Sequence, residues 1–253
     1  MDALIIAAGY GSRLRDISES KPLTLVNGVT LLELGARQAK AAGAMRLIVV
    51  TGHAAERVEA YLPDLAELVG LVIEPVRISD WSKPNGFSVM AGAAQISGDY
   101  LLMMADHIFG DGLLGQLAQQ GKPDRGVTLA IDRRIDSALI DPDDVTWVNT
   151  RDDGFITAIG KSINTYNAAD CGAFLATPEL ATAIAAAIKA GKSGSLSDGM
   201  QRLADVGRAA TLDVGQAWWM DVDDPRAHVL AELEAPLYAK SAFQAASASI
   251  HSG

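Results

Sequence analysis

One cysteine in 253 residues, Cys171, has no partner for an internal disulfide, and four scattered histidines do not join it in a zinc-binding cluster. A reducing, intracellular compartment is the expectation. Basic residues are also scarce: 21 Lys and Arg stand against 31 Asp and Glu, a formal charge of −10. Nucleic acid is thereby excluded as the main partner, because phosphate backbones are held by clustered cations. Long apolar runs are missing as well. The strongest, 47–50 and 101–105, have the length of strands and fall far short of the roughly 20 residues that cross a bilayer. Met1-Asp2-Ala3 leads straight into an apolar strand, without the basic region and longer apolar core of a signal peptide, so a soluble cytoplasmic chain is expected. What the chain does have is 49% hydrophobic residues, enough for a substantial core and too many for disorder.

Strand-length apolar runs at 3–8, 47–51, 69–74 and 100–105 alternate with segments of helical period at 31–42, 54–62 and 87–95. Such βα repeats predict an α/β fold, a Rossmann-like αβα sandwich around a mixed, mostly parallel sheet. Further strands are expected at 127–132, 145–149, 155–159, 171–176 and 209–214, with helices at 178–190 and 196–205. No long linker interrupts them, which makes 1–235 a single domain. The Ala- and Ser-rich stretch within 236–253 reads as a flexible tail or a linker.

The turn after the first strand reads Ala7-Ala8-Gly9-Tyr10-Gly11-Ser12-Arg13-Leu14, with Lys21-Pro22-Leu23 following. Its two glycines let backbone N–H groups approach a phosphate chain, and Arg13 and Lys21 add mobile positive charge. An ordinary glycine-rich turn with two surface cations is the alternative. A Walker A loop is excluded by the lack of Gly-Lys-Ser/Thr, and a dinucleotide fingerprint by the lack of a third glycine.

Asp106 ends an apolar strand at the carboxyl edge of the sheet, where ligands lie in parallel α/β folds, or else caps a helix starting near Asp111. In Trp219-Met220-Asp221-Val222-Asp223 the period of two turns both acids to one face, where they repel unless a cation joins them. Asp223 has the alternative of capping the helix opened by Asp224-Pro225. With Asp106 the pair would supply oxygen ligands to one octahedral Mg²⁺. Asn85, Gly86 and Ser88, in the loop from Lys83, offer groups that can read a nucleobase edge, or simply start a helix. Lys161 follows a strand, where a second phosphate could be held or the amine simply solvated.

Together, the glycine loop, Lys21-Pro22, Asn85-Gly86, Asp106, Lys161 and Trp219–Asp223 resemble the nucleotidyltransferase family with the GT-A-type α/β fold, over about residues 3–233. Within it, the segments 83–88, 104–107, 170–172 and 219–223 look most like the cytidylyltransferases acting on inositol 1-phosphate. Sugar-phosphate relatives usually carry Gln-Gly-Thr near the place of Asn85-Gly86-Phe87, which counts against a uridylyl- or thymidylyltransferase. The resemblance implies that Gly9, Gly11, Ser12 and Arg13 wrap the triphosphate of CTP while Lys21 neutralises departing pyrophosphate. It implies that Ala8, Asn85, Gly86 and Ser88 border the cytosine, and that Asp106, Asp221 and Asp223 hold Mg²⁺. Lys161 would position the phosphomonoester, and Asp170 with Gly172 would line its ring pocket. Such enzymes are often fused to, or act before, a membrane CDP-alcohol phosphotransferase.

Other readings stay open. A phosphocholine enzyme would want an aromatic cage, for which Trp81, Trp147 and Tyr166 are available. A sugar-1-phosphate nucleotidyltransferase and a non-catalytic nucleotide sensor are further alternatives. A GT-A glycosyltransferase would show Asp-x-Asp before its acceptor site, in place of this glycine loop.

Overall fold

A computed structural model describes residues 1–120 and 125–247. Strand β1 (Asp2–Ile6) is followed by the short pair β2 (Leu25–Val26) and β3 (Val29–Thr30), then α1 (Leu31–Ala41), β4 (Arg46–Thr51), α2 (Ala55–Val69), β5 (Val72–Arg77), α3 (Gly86–Ala93) and β6 (Tyr100–Met104). Next come β7 (His107–Phe109), α4 (Leu113–Gln120), β8 (Val127–Asp132), β9 (Trp147–Thr150), β10 (Ile156–Gly160) and β11 (Ala168–Ala176). The chain continues through α5 (Glu179–Lys189), α6 (Leu196–Asp205), β12 (Ala209–Asp213), β13 (Trp219–Asp221), α7 (Pro225–Tyr238) and α8 (Lys240–Ser247).

Among the described residues the main sheet has nine strands. β6, β1, β4 and β5 form a parallel block; the long β11 runs antiparallel to β6 and joins β8 and β9 to it. Side chains alternate along β1: Ala3 and Ile5 pack with α1, α2 and α4, whereas Leu4 and Ile6 pack with α3, α5 and α6. Burial on both faces is why these strands are continuous apolar runs. Local chemistry starts the helices where they start. Thr30 accepts from the Glu33 N–H at α1, and Ser195 with Asp198 forms a reciprocal capping box at α6.

Two expectations need correction. The strand expected at 69–74 begins at Val72, because the apolar spacing Val58, Leu62, Leu65, Val69 carries α2 through Pro63 until Gly70 ends it in the left-handed region. The stretch from 236 is also not loose: Pro236 lies inside α7, and α8 follows. Its small residues serve close packing, with Ala239 and Ala242 buried and the Ala242 carbonyl accepting from Arg37 Nη1 at 2.9 Å. Residues 248–253 of that expected tail lie outside the described residues. Among those described, no helix is long and apolar enough to cross a membrane.

Candidate active site

Two short strands far apart in sequence assemble the acids. β7 and β13 pair antiparallel, with His107 opposite Asp221, and Val222 N–H donates to Asp106 O at 2.8 Å. The end of β6 is thereby set beside Asp221, with Asp223 two residues on. Asp223 does not cap α7, because Asp224 does, accepting from the Ala227 N–H. Asp106 likewise caps nothing near Asp111: it takes Lys21 Nζ at 2.5 Å and His107 Nδ1 at 2.7 Å.

Burial would push the Asp106 carboxyl up, yet Lys21 and His107 hold it well below the usual carboxylate range. Burial also works against charge on His107, but Asp221, Asp106 and Asp170 raise it to about 9, so the ring is a cation at neutral pH. Asp221 is raised to about 7, first by burial and then by Asp106 and Asp223 against the pull of His107 and Lys21. Asp223 is raised to about 6 by burial and by sharing a hydrogen bond with Asp144. Asp144 itself, despite its burial, is held low by Lys161 and Arg13.

Asp144 is the residue that the sequence reading missed. It takes Lys161 Nζ and Arg13 Nη2, each at 2.5 Å, while Arg13 also pairs with Asp223. In the run Asp141-Pro142-Asp143-Asp144 it reads as one more acid of a surface turn, and nothing local distinguishes it. The ligand atoms of Asp106, His107 and Asp221 lie within 4.8 Å of one another, and so do those of Asp144, Asp221 and Asp223. Asp221 is common to both groups, whereas Asp106 and Asp223 fall in different ones, so the three expected ligands do not form a single close cluster. Asp221 Oδ1 is buried without a hydrogen-bond partner. His107 Nδ1 stands 3.7 Å from it, an ion pair without a hydrogen bond, and a carboxylate oxygen left unbonded among other carboxylates fits a hard divalent cation.

Two clefts meet at this floor. The smaller, about 180 Å³, is lined by Ala8, Gly9, Gly11, Lys21, Asn85, Ser88 and Asp106, with Trp81 and Lys83 beside them. The larger, about 430 Å³, shares Lys21, Asn85, Met104 and Asp106 with it and adds Arg13, Lys161, Asp170, Gly172, Asp221 and Asp223. A Cβ on Gly9 would meet nothing within 4 Å, whereas Gly11, at φ +61, has Lys21 Cβ where its own would stand, 2.6 Å away. Asn85 Oδ1 accepts from the Leu196 N–H at 2.8 Å, anchoring the loop to the start of α6.

Asp170 sits on β11, where its Oδ1 accepts from Gly172 N–H at 2.7 Å and burial raises its pKa to about 6. The β11–β8 register slips between Asp170 and Phe174, and Gly172 within that slip is left-handed, at φ +75. Any side chain there would meet the His107 ring. Gly172 thus lines the cleft and makes room for the imidazolium behind it.

Two expected nucleotide residues stand apart from the clefts. Ser12 is exposed on a short 3₁₀ turn. Gly86 is buried, and a Cβ on it would run into Gly194 O and Ile184, so its small size serves packing rather than a base. Of the aromatic residues considered for a cage, Trp147 and Tyr166 stack on each other at 4.1 Å and line neither cleft, whereas Trp81 borders the smaller cleft and stacks on Tyr10.

Comparison with known proteins agrees with this architecture. The chain is 31% identical over 233 residues to the bifunctional IPC transferase and DIPP synthase of Rubrobacter xylanophilus, covering 91% of this chain and 51% of that protein. To the protein of the same name from Aquifex aeolicus it is 28% identical, covering 88% and 49%. The chain spans about half the length of these curated relatives. The inositol-1-phosphate CTP transferase from T. maritima superposes with a TM-score of 0.79 at 23% identity, covering 96% of this chain and 95% of that one, a likeness of fold. Residues 3–204 match the MobA-like NTP transferase domain, and the chain belongs to that nucleotidyltransferase family.

Proposed function

We propose that this domain transfers CMP from CTP to inositol 1-phosphate, giving CDP-inositol and pyrophosphate. The observation that carries the reading is the meeting of two clefts at Lys21, Asn85 and Asp106, one on the glycine loop and the other on Lys161 and Asp170. A transfer between two substrates needs their reacting groups side by side and their remote parts apart. The activities named for the relatives point the same way.

In this reading an oxygen of the phosphomonoester attacks the α-phosphorus in line; the new P–O bond forms as the bond to pyrophosphate breaks. No protein base is required, since a phosphomonoester with a second pKa of about 6 is already ionised. Mg²⁺ held at Asp221, with Asp144 and Asp223 grouped on one side of it and Asp106 on the other, would neutralise charge on the triphosphate. Arg13 and Lys21 add positive charge for the departing pyrophosphate, and Lys161 holds the acceptor phosphate. Asp170 accepts hydrogen bonds from ring hydroxyls. With Asn85 Oδ1 engaged by Leu196, its Nδ2 remains as a donor, which suits the N3 and O2 acceptors of cytosine.

Phosphocholine is disfavoured because, of the three aromatics available for a cage, Trp147 and Tyr166 line neither cleft and Trp81 alone borders the smaller one. A CDP-alcohol is an activated intermediate, so a fused or partner CDP-alcohol phosphotransferase is its proposed consumer; the relatives carry a second activity, named DIPP synthase, in the same protein. The test is pyrophosphate release measured for four NTPs crossed with a panel of phosphomonoesters. CTP should exceed UTP and ATP by at least tenfold in kcat/KM, because buried polar groups left unpaired by the wrong base cost about 1–3 kcal/mol. Equal use of UTP, or faster turnover of phosphocholine or glucose 1-phosphate, would overturn the assignment.

A further inference from the structure

Between the two glycines of the loop stands Tyr10, whose ring stacks on Trp81 with centroids 5.6 Å apart and planes 4° apart. His53, just beyond β4, meets both rings edge-on, at 4.7 and 5.1 Å. The Arg15 guanidinium lies over Tyr10 at 4.5 Å. Three loops at the carboxyl ends of β1, β4 and β5 are joined in this way. The backbone beneath is closely fitted: His53 N–H donates to Ala8 O at 3.0 Å, and a Cβ on Gly52 would stand 2.8 Å from Trp81 Cβ. Gly9 and Gly11 have no side chains to pack, so Tyr10 is the loop's own aromatic anchor. Trp81 and Tyr10 are 40% and 38% exposed, too open for the stack to matter much to the core.

We infer that the Tyr10–Trp81 stack is a latch that holds the glycine loop in the shape a triphosphate needs, so both rings are positioning residues for the nucleotide. A loop free to wander would have to be ordered by the ligand at a loss of affinity. Here Tyr10, which lines neither cleft, is held beforehand by Trp81 at the border of the smaller one and by Arg15 and His53. The inference rests on the nucleotide reading above, but on neither the identity of the base nor that of the acceptor.

Calorimetry with CTP, UTP, ATP and GTP, without acceptor, first identifies the nucleotide that the wild type binds; Tyr10→Ala and Trp81→Ala are then compared on it. Each substitution should weaken binding and raise the nucleotide KM about tenfold, equivalent to about 1.4 kcal/mol. The acceptor KM and the melting temperature should stay unchanged. The double variant should lose no more than either single one, because both remove the same contact. Tyr10→Phe and Trp81→Phe should restore affinity. Unchanged nucleotide affinity in both alanine variants, an equal rise in both substrates' KM, or no restoration by phenylalanine overturns the latch. Wild-type protein that binds a nucleotide but does not transfer it to inositol 1-phosphate sinks the acceptor assignment alone; protein that binds no nucleotide refutes both.

Discussion

Asp170→Asn should stabilise the protein, and more strongly as the pH rises. Its carboxyl has a pKa raised by burial from 3.8 to about 6. Between those values the folded state holds a proton that the unfolded chain has released, so stability is fully present below about 4 and is lost as the pH climbs through 6. The full shift corresponds to about 3 kcal/mol at pH 8 and to about 1.5 kcal/mol at pH 5. Asparagine removes that cost while its Oδ1 can still accept from the Gly172 N–H, which preserves the local turn. Urea unfolding of both proteins in a chelator, at pH 5 and pH 8, reads the difference directly, with the m-value checking that the unfolded states match. A gain that does not grow with pH, or a variant less stable than wild type at pH 8, would refute the reasoning. If Asp170 also receives ring hydroxyls, the stabilised variant should discriminate less well among polyol phosphates.

Asp106→Asn should keep the fold yet lower turnover by orders of magnitude, since it removes one of the few charges available to a metal; near-wild-type activity at saturating Mg²⁺ would take Asp106 out of the site. Lys161→Ala should raise the KM for inositol 1-phosphate about tenfold and leave that for CTP nearly unchanged, because it deletes a charge-assisted contact to one substrate only; an equal change for both would contradict its role. Gly172→Ala should cost about 2 kcal/mol or more, since alanine is strained at positive φ and its methyl meets His107; thermal unfolding within half a degree of wild type would show that the ring can move aside.

How much was legible in the sequence follows from how local each signal is. β8 at Val127–Asp132 and α6 at Leu196–Asp205 are recognisable as written, one a continuous apolar run and the other capped by Ser195. Asp106 and Asp221 can be found because each ends an apolar strand. The pairing of β7 with β13 cannot be seen, since strands of three residues carry no period to read. Asp144 is silent for a related reason: its importance lies in Arg13 and Lys161, 131 and 17 residues away, and not in its neighbours. Gly86 misleads in the opposite direction. A glycine beside Asn85 suggests close approach to a ligand, but the approach is to the Gly194–Ser195 backbone. Alanine-rich α8 misleads too, because small residues suit a loose tail and a tight helix contact equally well.

The charge pattern of the cleft floor bears on how such a site can bind two anions in a chain of charge −10. Each cation assigned to the substrates already rests on an acid: Lys21 on Asp106, Lys161 on Asp144, and Arg13 on Asp144 and Asp223. None is held in the cleft as an uncompensated charge, which would be costly where burial is appreciable, as it is for Lys21. Under the proposed function, the phosphates of an arriving triphosphate would take the arginine and lysines, and the carboxylates so released, Asp106, Asp144 and Asp223, would be free to hold its divalent cation. The metal would offset part of the triphosphate's charge, whereas a ligand that brought phosphate without metal would draw Arg13 away from Asp223 and put no cation in its place. The pKa values of Asp221 and Asp223, raised to about 7 and about 6, come from burial first, and neighbouring carboxylates add to it against the pull of His107, Lys21 and Arg13.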